Sequence, residues 1–179
     1  MILKIDRSMK NTNKPKVYMT ISALKRLAGY VDAANHEISG LGAVNKWSDG
    51  FLISEIFFLR QRAFNAYTEL KSEDLAEFLI DWVKDGNDPE EIRFWWHSHA
   101  DMEVFWSDID DYTATHFHNR LMFSLVVNRS GDFLLRMDIF GQDPKTVYDI
   151  PLHVLIESDD KEKYVGEIRE KVELYSTDI

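Results

Sequence analysis

The sequence predicts an α/β domain in which helices pack against a mixed, largely antiparallel central sheet. Three observations predict it. The chain has 179 residues, 45% hydrophobic and 13% aromatic, which suffices for one well-buried core and marks a globular domain. Short apolar runs of strand length, bounded by turn residues, recur along it. Other stretches space their apolar residues at the helical period instead.

Residues 7–16 are polar and turn-rich, so 1–16 reads as an N-terminal extension or a short strand. Val17-Tyr18-Met19 suits a strand, and Thr20 can cap a helix with Leu24, Leu27, Ala28 and Val31 on one face. From Glu37 to about Phe58, apolar runs broken by Asn45-Lys46 and Ser48-Asp49-Gly50 read as a hairpin. Ser72 begins the clearest helix. Its Leu75, Phe78, Leu79, Trp82 and Val83 follow an amphipathic spacing, and Asp85-Gly86 ends it. Residues 92–99 form an aromatic core strand, followed by a loop and a helix from Ser107 through Thr115. Residues 121–128 and 133–140 flank Arg129-Ser130-Gly131-Asp132 as a second hairpin, and 147–156 reads as one further strand. A last helix covers about 159–175, with Val165, Ile168, Val172 and Tyr175 at helical spacing. The domain is thus placed at 17–156, with 157–179 a C-terminal helix packed on it or extending from it.

Composition narrows the chemistry. Without cysteine there is neither a disulfide framework nor a thiolate ligand, so any metal is held by His, Asp, Glu and water. The net charge of −10 and the lack of a basic cluster argue against nucleic-acid binding. No run of 18 apolar residues and no signal peptide is seen, so no membrane association and a cytoplasmic location are expected.

One stretch concentrates the chemistry. His97 and His99 lie two apart on the strand of residues 92–99, hence on one face and about 6.6–7 Å apart along the backbone, where both rings can meet one ion. Asp110 can supply a third ligand, and three protein ligands plus an open position is the pattern of a catalytic zinc. A second pair, His116 and His118, shows why spacing alone is weak. If the helix from Ser107 ran that far, the two would point about 200° apart and could not share an ion. Ser107 and Asp110 also have an ordinary explanation as a capping box, which is compatible with a ligand role. The proton of a zinc-bound water needs an acceptor that is not itself a ligand. Glu37, entering an apolar glycine-containing strand, is a candidate, although spacing alone does not separate it from Glu55 or Glu103.

These residues resemble a known set. His97-x-His99, seven residues, Ser107, two residues and Asp110, preceded by Glu37-Ile38-Ser39-Gly40-Leu41, are similar to the JAMM motif of the MPN-plus metalloproteases. That family includes deubiquitinases of the proteasome lid and their bacterial, archaeal and phage relatives. The resemblance implies an MPN-like, cytidine-deaminase-like α-β-α fold. It implies one Zn2+ per chain on His97, His99 and Asp110, with Glu37 as general base and then acid, and Ser107 donating to the oxyanion. The substrate it implies is a ubiquitin-like protein or peptide, cleaved at an amide or isopeptide bond. Phe105 and Trp106 beside the site are candidates for contacting such a tail, or for buried packing. Ala100 stands where many members have proline after the second histidine. The missing cysteines and the compact 100–106 loop argue against a preference for one ubiquitin-chain linkage. A processing peptidase with no ubiquitin-like substrate and a non-catalytic MPN scaffold are the alternatives, and the intact ligand set argues against the second.

Overall fold

The computed structural model describes residues 14–63, 68–117, 119–155 and 161–172. Strand β1 (Lys16–Thr20) runs into α1 (Ile21–Ala33) where the Thr20 hydroxyl accepts the Ala23 N–H at 3.1 Å, an N-cap of the expected kind. The next strands are β2 (Ser39–Trp47) and β3 (Gly50–Phe57), then a small hairpin of β4 (Gln61–Ala63) and β5 (Thr68–Leu70). Helix α2 (Ser72–Lys84) and a 3-10 turn (Pro89–Glu91) lead into β6 (Ile92–Ser98). Helix α3 (Asp108–Ala114), β7 (Leu121–Val127), β8 (Phe133–Ile139), β9 (Lys145–Val147), β10 (Leu152–Leu155) and α4 (Lys161–Lys171) follow.

Eight strands form one mixed sheet in the order β10-β1-β3-β2-β6-β7-β8-β9. Among the described residues its pairings are four antiparallel and three parallel, closer to balance than the expected antiparallel majority. Two of the parallel pairs, β1–β3 and β6–β7, arise because α1 with β2 and α3 serve as crossovers between strands that a hairpin would have reversed.

Alternation along β6 assigns its two faces. Phe94 and Trp96 join Val17, Met19, Val44, Ile53, Phe123 and Leu125 in the larger core, against which α1 packs Leu27 and Val31. Trp95 points the other way, into a smaller core with Leu41 and Met122 that α2 covers with Leu75, Phe78, Leu79 and Trp82. Val83, expected on that apolar face, is exposed. In α4, Val165, Ile168 and Val172 are also exposed, and Tyr175 lies outside the described residues.

The expected strand 147–156 is two strands on opposite edges of the sheet. Asp149 turns to φ 52° and Pro151 offers no N–H, so pairing with β8 stops at Val147 and pairing with β1 starts at Leu152. Eight strands laid flat would separate those edges by about 34 Å, whereas five residue steps reach about 18 Å at most. The sheet therefore curls around the larger core, to which Val147 at one edge and Leu152 at the other both belong. Ile150 bridges the gap, buried and donating its N–H to the Leu135 carbonyl at 2.9 Å.

Glycines make room for the aromatic layer. A Cβ on Gly40 would stand 2.3 Å from the Phe57 carbonyl oxygen and 2.7 Å from the Trp96 ring. Gly42 stands in the same relation to Phe94, at 2.8 Å. Gly40→Ala should therefore destabilise by about 1–3 kcal/mol through overpacking. Thermal denaturation would show a midpoint lower by several degrees, and an unchanged midpoint would contradict this account of the aromatic layer.

Candidate metal centre

The pairing of β2 with β6 places the first elements of the site. Ser39 sits opposite His97, and one step further the Ser98 N–H donates to the Ile38 carbonyl at 2.8 Å. Carrying this antiparallel register one residue on brings Glu37 opposite His99 on the face that carries Trp95. The β4–β5 hairpin secures this end of β2. The Gln61 side-chain amide accepts the Ser39 N–H at 2.8 Å and donates to the Ser39 carbonyl at 2.9 Å, in the manner of a neighbouring strand.

Helix α3 brings the third group. The Ser107 hydroxyl accepts the Asp110 N–H at 3.2 Å, while Asp110 Oδ2 accepts both the Ser107 N–H and the Ser107 hydroxyl at 2.8 Å each. The capping box is complete. With Oδ2 occupied twice, Oδ1 is turned to the histidines and lies 3.2 Å from His97 Nε2. His97 Nε2 and His99 Nε2 are 3.3 Å apart.

His97, His99 and Asp110 are all buried, and one ligand atom from each lies within 4.8 Å of the others, so the group could hold a metal ion. The donor set fits zinc. A tetrahedron with arms of about 2.0–2.1 Å has edges of about 3.3–3.4 Å, close to the two separations just given. His99 is prepared for the role. Its Nδ1 lies 2.8 Å from the Glu103 carbonyl, which can only accept, so the proton is on Nδ1 and the Nε2 lone pair is free. His97 lacks the matching support: its Nδ1 is buried without a hydrogen-bond partner, and the Trp95 ring stacks on the imidazole at 4.7 Å.

Glu37, 7% exposed, lines a cavity of about 230 Å3 together with His97, His99, Ser107 and Asp110. Burial pushes its carboxyl up from the ordinary carboxylate range, Asp110 adds to the rise, and His99 opposes it. Glu55 and Glu103, the acids that spacing did not separate from it, are exposed and do not line that cavity. Phe105 lines the cavity, half exposed, and meets His99 edge-on at 4.8 Å. Trp106 does not line it. Its ring lies under the Arg136 guanidinium at 4.2 Å. Helix α3 ends at Ala114, short of the second His-x-His pair; His116 has its Nδ1 on the Tyr112 carbonyl, and His118 lies outside the described residues.

After His99 the chain turns sharply. Ala100 takes φ 48°, a left-handed conformation closed to proline, whose ring holds φ near about −65°. The turn is held by the Met102 N–H on the His99 carbonyl at 2.8 Å and the Arg129 N–H on the Ala100 carbonyl at 2.8 Å. Arg136 and Asp138 were not among the expected site residues. Both are buried, and Arg136 reaches the backbone of Asp110. The only trace in the sequence is an Arg-x-Asp pair on the polar face of a strand, which ordinarily faces water.

No protein-family model matches the sequence, and no curated protein does. In structure the chain is similar to protein DSY2949 from Desulfitobacterium hafniense, a structural genomics target solved in solution. The TM-score is 0.60 at 13% identity, over 81% of this chain and 97% of that one, a likeness of fold alone. No described helix is long and apolar enough to cross a membrane.

Burial holds the His97 imidazole down to about 4, with Asp110 opposing that drop and His99 and Arg136 adding to it. An unfolded chain takes up this proton near its ordinary pKa of about 6.5, so the metal-free fold keeps the stability above that pH. It loses it as pH falls toward 4. Melting curves of chelator-treated protein should therefore drop through this window, and those of His97→Gln should drop less. Equal slopes would remove His97 as the cause.

Proposed function

We propose that the chain is a zinc metallopeptidase of the JAMM type on an MPN-like α-β-α domain, hydrolysing amide or isopeptide bonds. The observation that carries this reading is the convergence of His97 Nε2, His99 Nε2 and Asp110 Oδ1 on one point in a cavity that Glu37 also lines. A structural zinc would have a closed set of four protein ligands, whereas three ligands beside a non-ligating carboxylate suit catalysis.

His97, His99 and Asp110 would hold the ion, which when bound supplies Lewis acidity and acidifies the attacking water. Glu37 takes the proton from that water and later gives it to the leaving nitrogen. A base confined in a partly apolar cavity is suited to both transfers, because its raised pKa lets it keep the proton between them. Ser107 has a hydroxyl free to turn from Asp110 Oδ2 toward an oxyanion, at the cost of one of the two hydrogen bonds that aim Asp110.

The cleft supports a polypeptide substrate. Past Thr68, Trp95 and Thr113 it continues into a second cavity of about 380 Å3 that Leu70, Leu75 and Phe117 help to line. An extended segment with mixed polar and apolar side chains, such as the tail of a ubiquitin-like protein, suits a path that Glu69, Ser72 and His116 line as well.

The test is metal content and turnover on the same preparations. Wild type should carry about one zinc per chain, and Asp110→Ala or His97→Ala should lose metal and activity together. Glu37→Gln should keep the zinc and stop hydrolysis of an isopeptide-linked ubiquitin-like tail, so an active Glu37→Gln enzyme would refute the base assignment. Ser107→Ala should retain metal and slow turnover by about 10²–10³. It should also lower stability by about 1 kcal/mol through the lost cap, which denaturant titration can check.

A further inference from the structure

We propose that Arg136 is a positioning residue for the metal centre, locking the first turn of α3, and with it the Asp110 carboxylate, against the sheet that carries His97 and His99. The proposal rests on the metal reading above and deepens it.

Helix α3 is poorly held by apolar packing. It has seven residues, only Asp110 and Ala114 are buried, and its Ile109 and Tyr112 are exposed. A helix this short does not persist on its own propensity. Its capping box fixes Asp110 relative to Ser107, which is the residue just before the same helix and so cannot tie it to the sheet. The tie comes from β8.

On β8, Leu135 and Met137 enter the larger core, so alternation sends Arg136 and Asp138 to the face of the metal site. Arg136 is 1% exposed and uses its whole fork. Nε donates to Asp138 Oδ2 at 3.1 Å, one terminal nitrogen to Asp111, and the other to the Asp110 carbonyl at 3.4 Å. The guanidinium also covers the Trp106 ring at 4.2 Å, at the end of the loop that leads from His99 into α3. Asp138 is itself held, accepting the Thr146 hydroxyl from β9 at 2.6 Å. A chain of polar contacts thus runs from the outermost strand to the ligand-bearing turn. Lysine, with a single compact ammonium, cannot reproduce three diverging contacts.

Electrostatics alone would assign Arg136 the opposite effect. A buried cation near a metal site repels the incoming cation, so removing it should tighten metal binding. If Arg136 acts by aiming Asp110, removing it should weaken binding, as loss of a group that orients a ligand does by about 10–100-fold. The sign of the change separates the two.

The experiment is competition for zinc between a chromophoric chelator and the full chain, as wild type, Arg136→Gln and Arg136→Lys. Melting curves of the metal-free forms establish that each variant is folded. Both variants should bind zinc about 10–100-fold more weakly. Cobalt in place of zinc should show altered visible bands in both, a change in ligand geometry that a purely fold-stabilising residue would not cause. Unchanged or tighter zinc binding by folded Arg136→Gln overturns the proposal. Should Arg136→Gln fail to fold, Asp111→Ala opens the same clamp from its exposed side, measured in high salt to screen the lost charge. Unaltered zinc affinity there overturns the proposal equally. A wild type that binds no zinc overturns the metal reading and this proposal with it, whereas a zinc-binding wild type with unaltered variants overturns the clamp alone.

Discussion

Successive side chains on a strand point to opposite faces, so a slip of one residue between β2 and β6 would turn Glu37 away from His99. The observed register, with Ser39 opposite His97, is held by more than its ladder hydrogen bonds. Gly40 and Gly42 lie under the Trp96 and Phe94 rings, where any Cβ would collide. Moving β2 by one position would place Leu41 or Ala43 beneath those rings. Steric fit on the larger-core face of the sheet therefore sets the alignment of acid and imidazole on the opposite face. The Trp96 indole N–H adds to this by donating to the Leu41 carbonyl at 3.2 Å.

The rest of the site is held by polar contacts, and the division has a physical basis. Residues 99–107 and α3 bury few large apolar side chains, so directional bonds must fix them instead. The Asn128 amide donates to the Met102 carbonyl at 3.0 Å, the Arg129 guanidinium pairs with Asp101, and His99 Nδ1 engages the Glu103 carbonyl. Each bond is modest by itself, because folding forms it in exchange for a hydrogen bond to water. Together they close a short loop between His99 at the end of β6 and Asp110 on α3. The β7–β8 turn supplies two of these partners, Asn128 and Arg129, so the strand next to β6 supports the loop.

How much of this was legible in the sequence follows from how local each feature is. The α1 cap at Thr20, the amphipathic face of α2, the aromatic strand β6 and the capping box at Ser107 all depend on neighbours within a few residues, and all appear in the structure. The convergence of His97, His99 and Asp110, a group that could hold a metal ion, was readable from strand periodicity together with the nearby capped helix. Glu37 was not separable from Glu55 and Glu103 by spacing, because its place opposite His99 depends on a pairing across some sixty residues. The split of 147–156 into β9 and β10 was missed because Val147, Ile150 and Leu152 read as one apolar run, although they belong to opposite edges of a curled sheet. Arg136 and Asp138 alternate as an exposed strand face would. Contacts with α3, Trp106 and Thr146 engage them instead. The β4–β5 hairpin carries too few residues to show a period, and the Gln61 amide standing in for a strand has no sequence signature.

The curl also sets an order of events during synthesis. Strand β1 lies between β3 and β10, with Val17 level with Phe51 on one side and with Leu152 on the other. Its first neighbour leaves the ribosome soon after it, its second more than a hundred residues later. Contacts so distant along the chain close slowly, since the loop entropy is lost before the pairing compensates for it. Until then the outer backbone of β1 and one side of the larger core stand open, while β2, β3 and β6 can already have brought the glutamate and both histidines together. The emerging chain can thus bring Glu37, His97 and His99 together before the curled sheet is complete, and the nascent intermediate is the state most open to strand addition by another polypeptide.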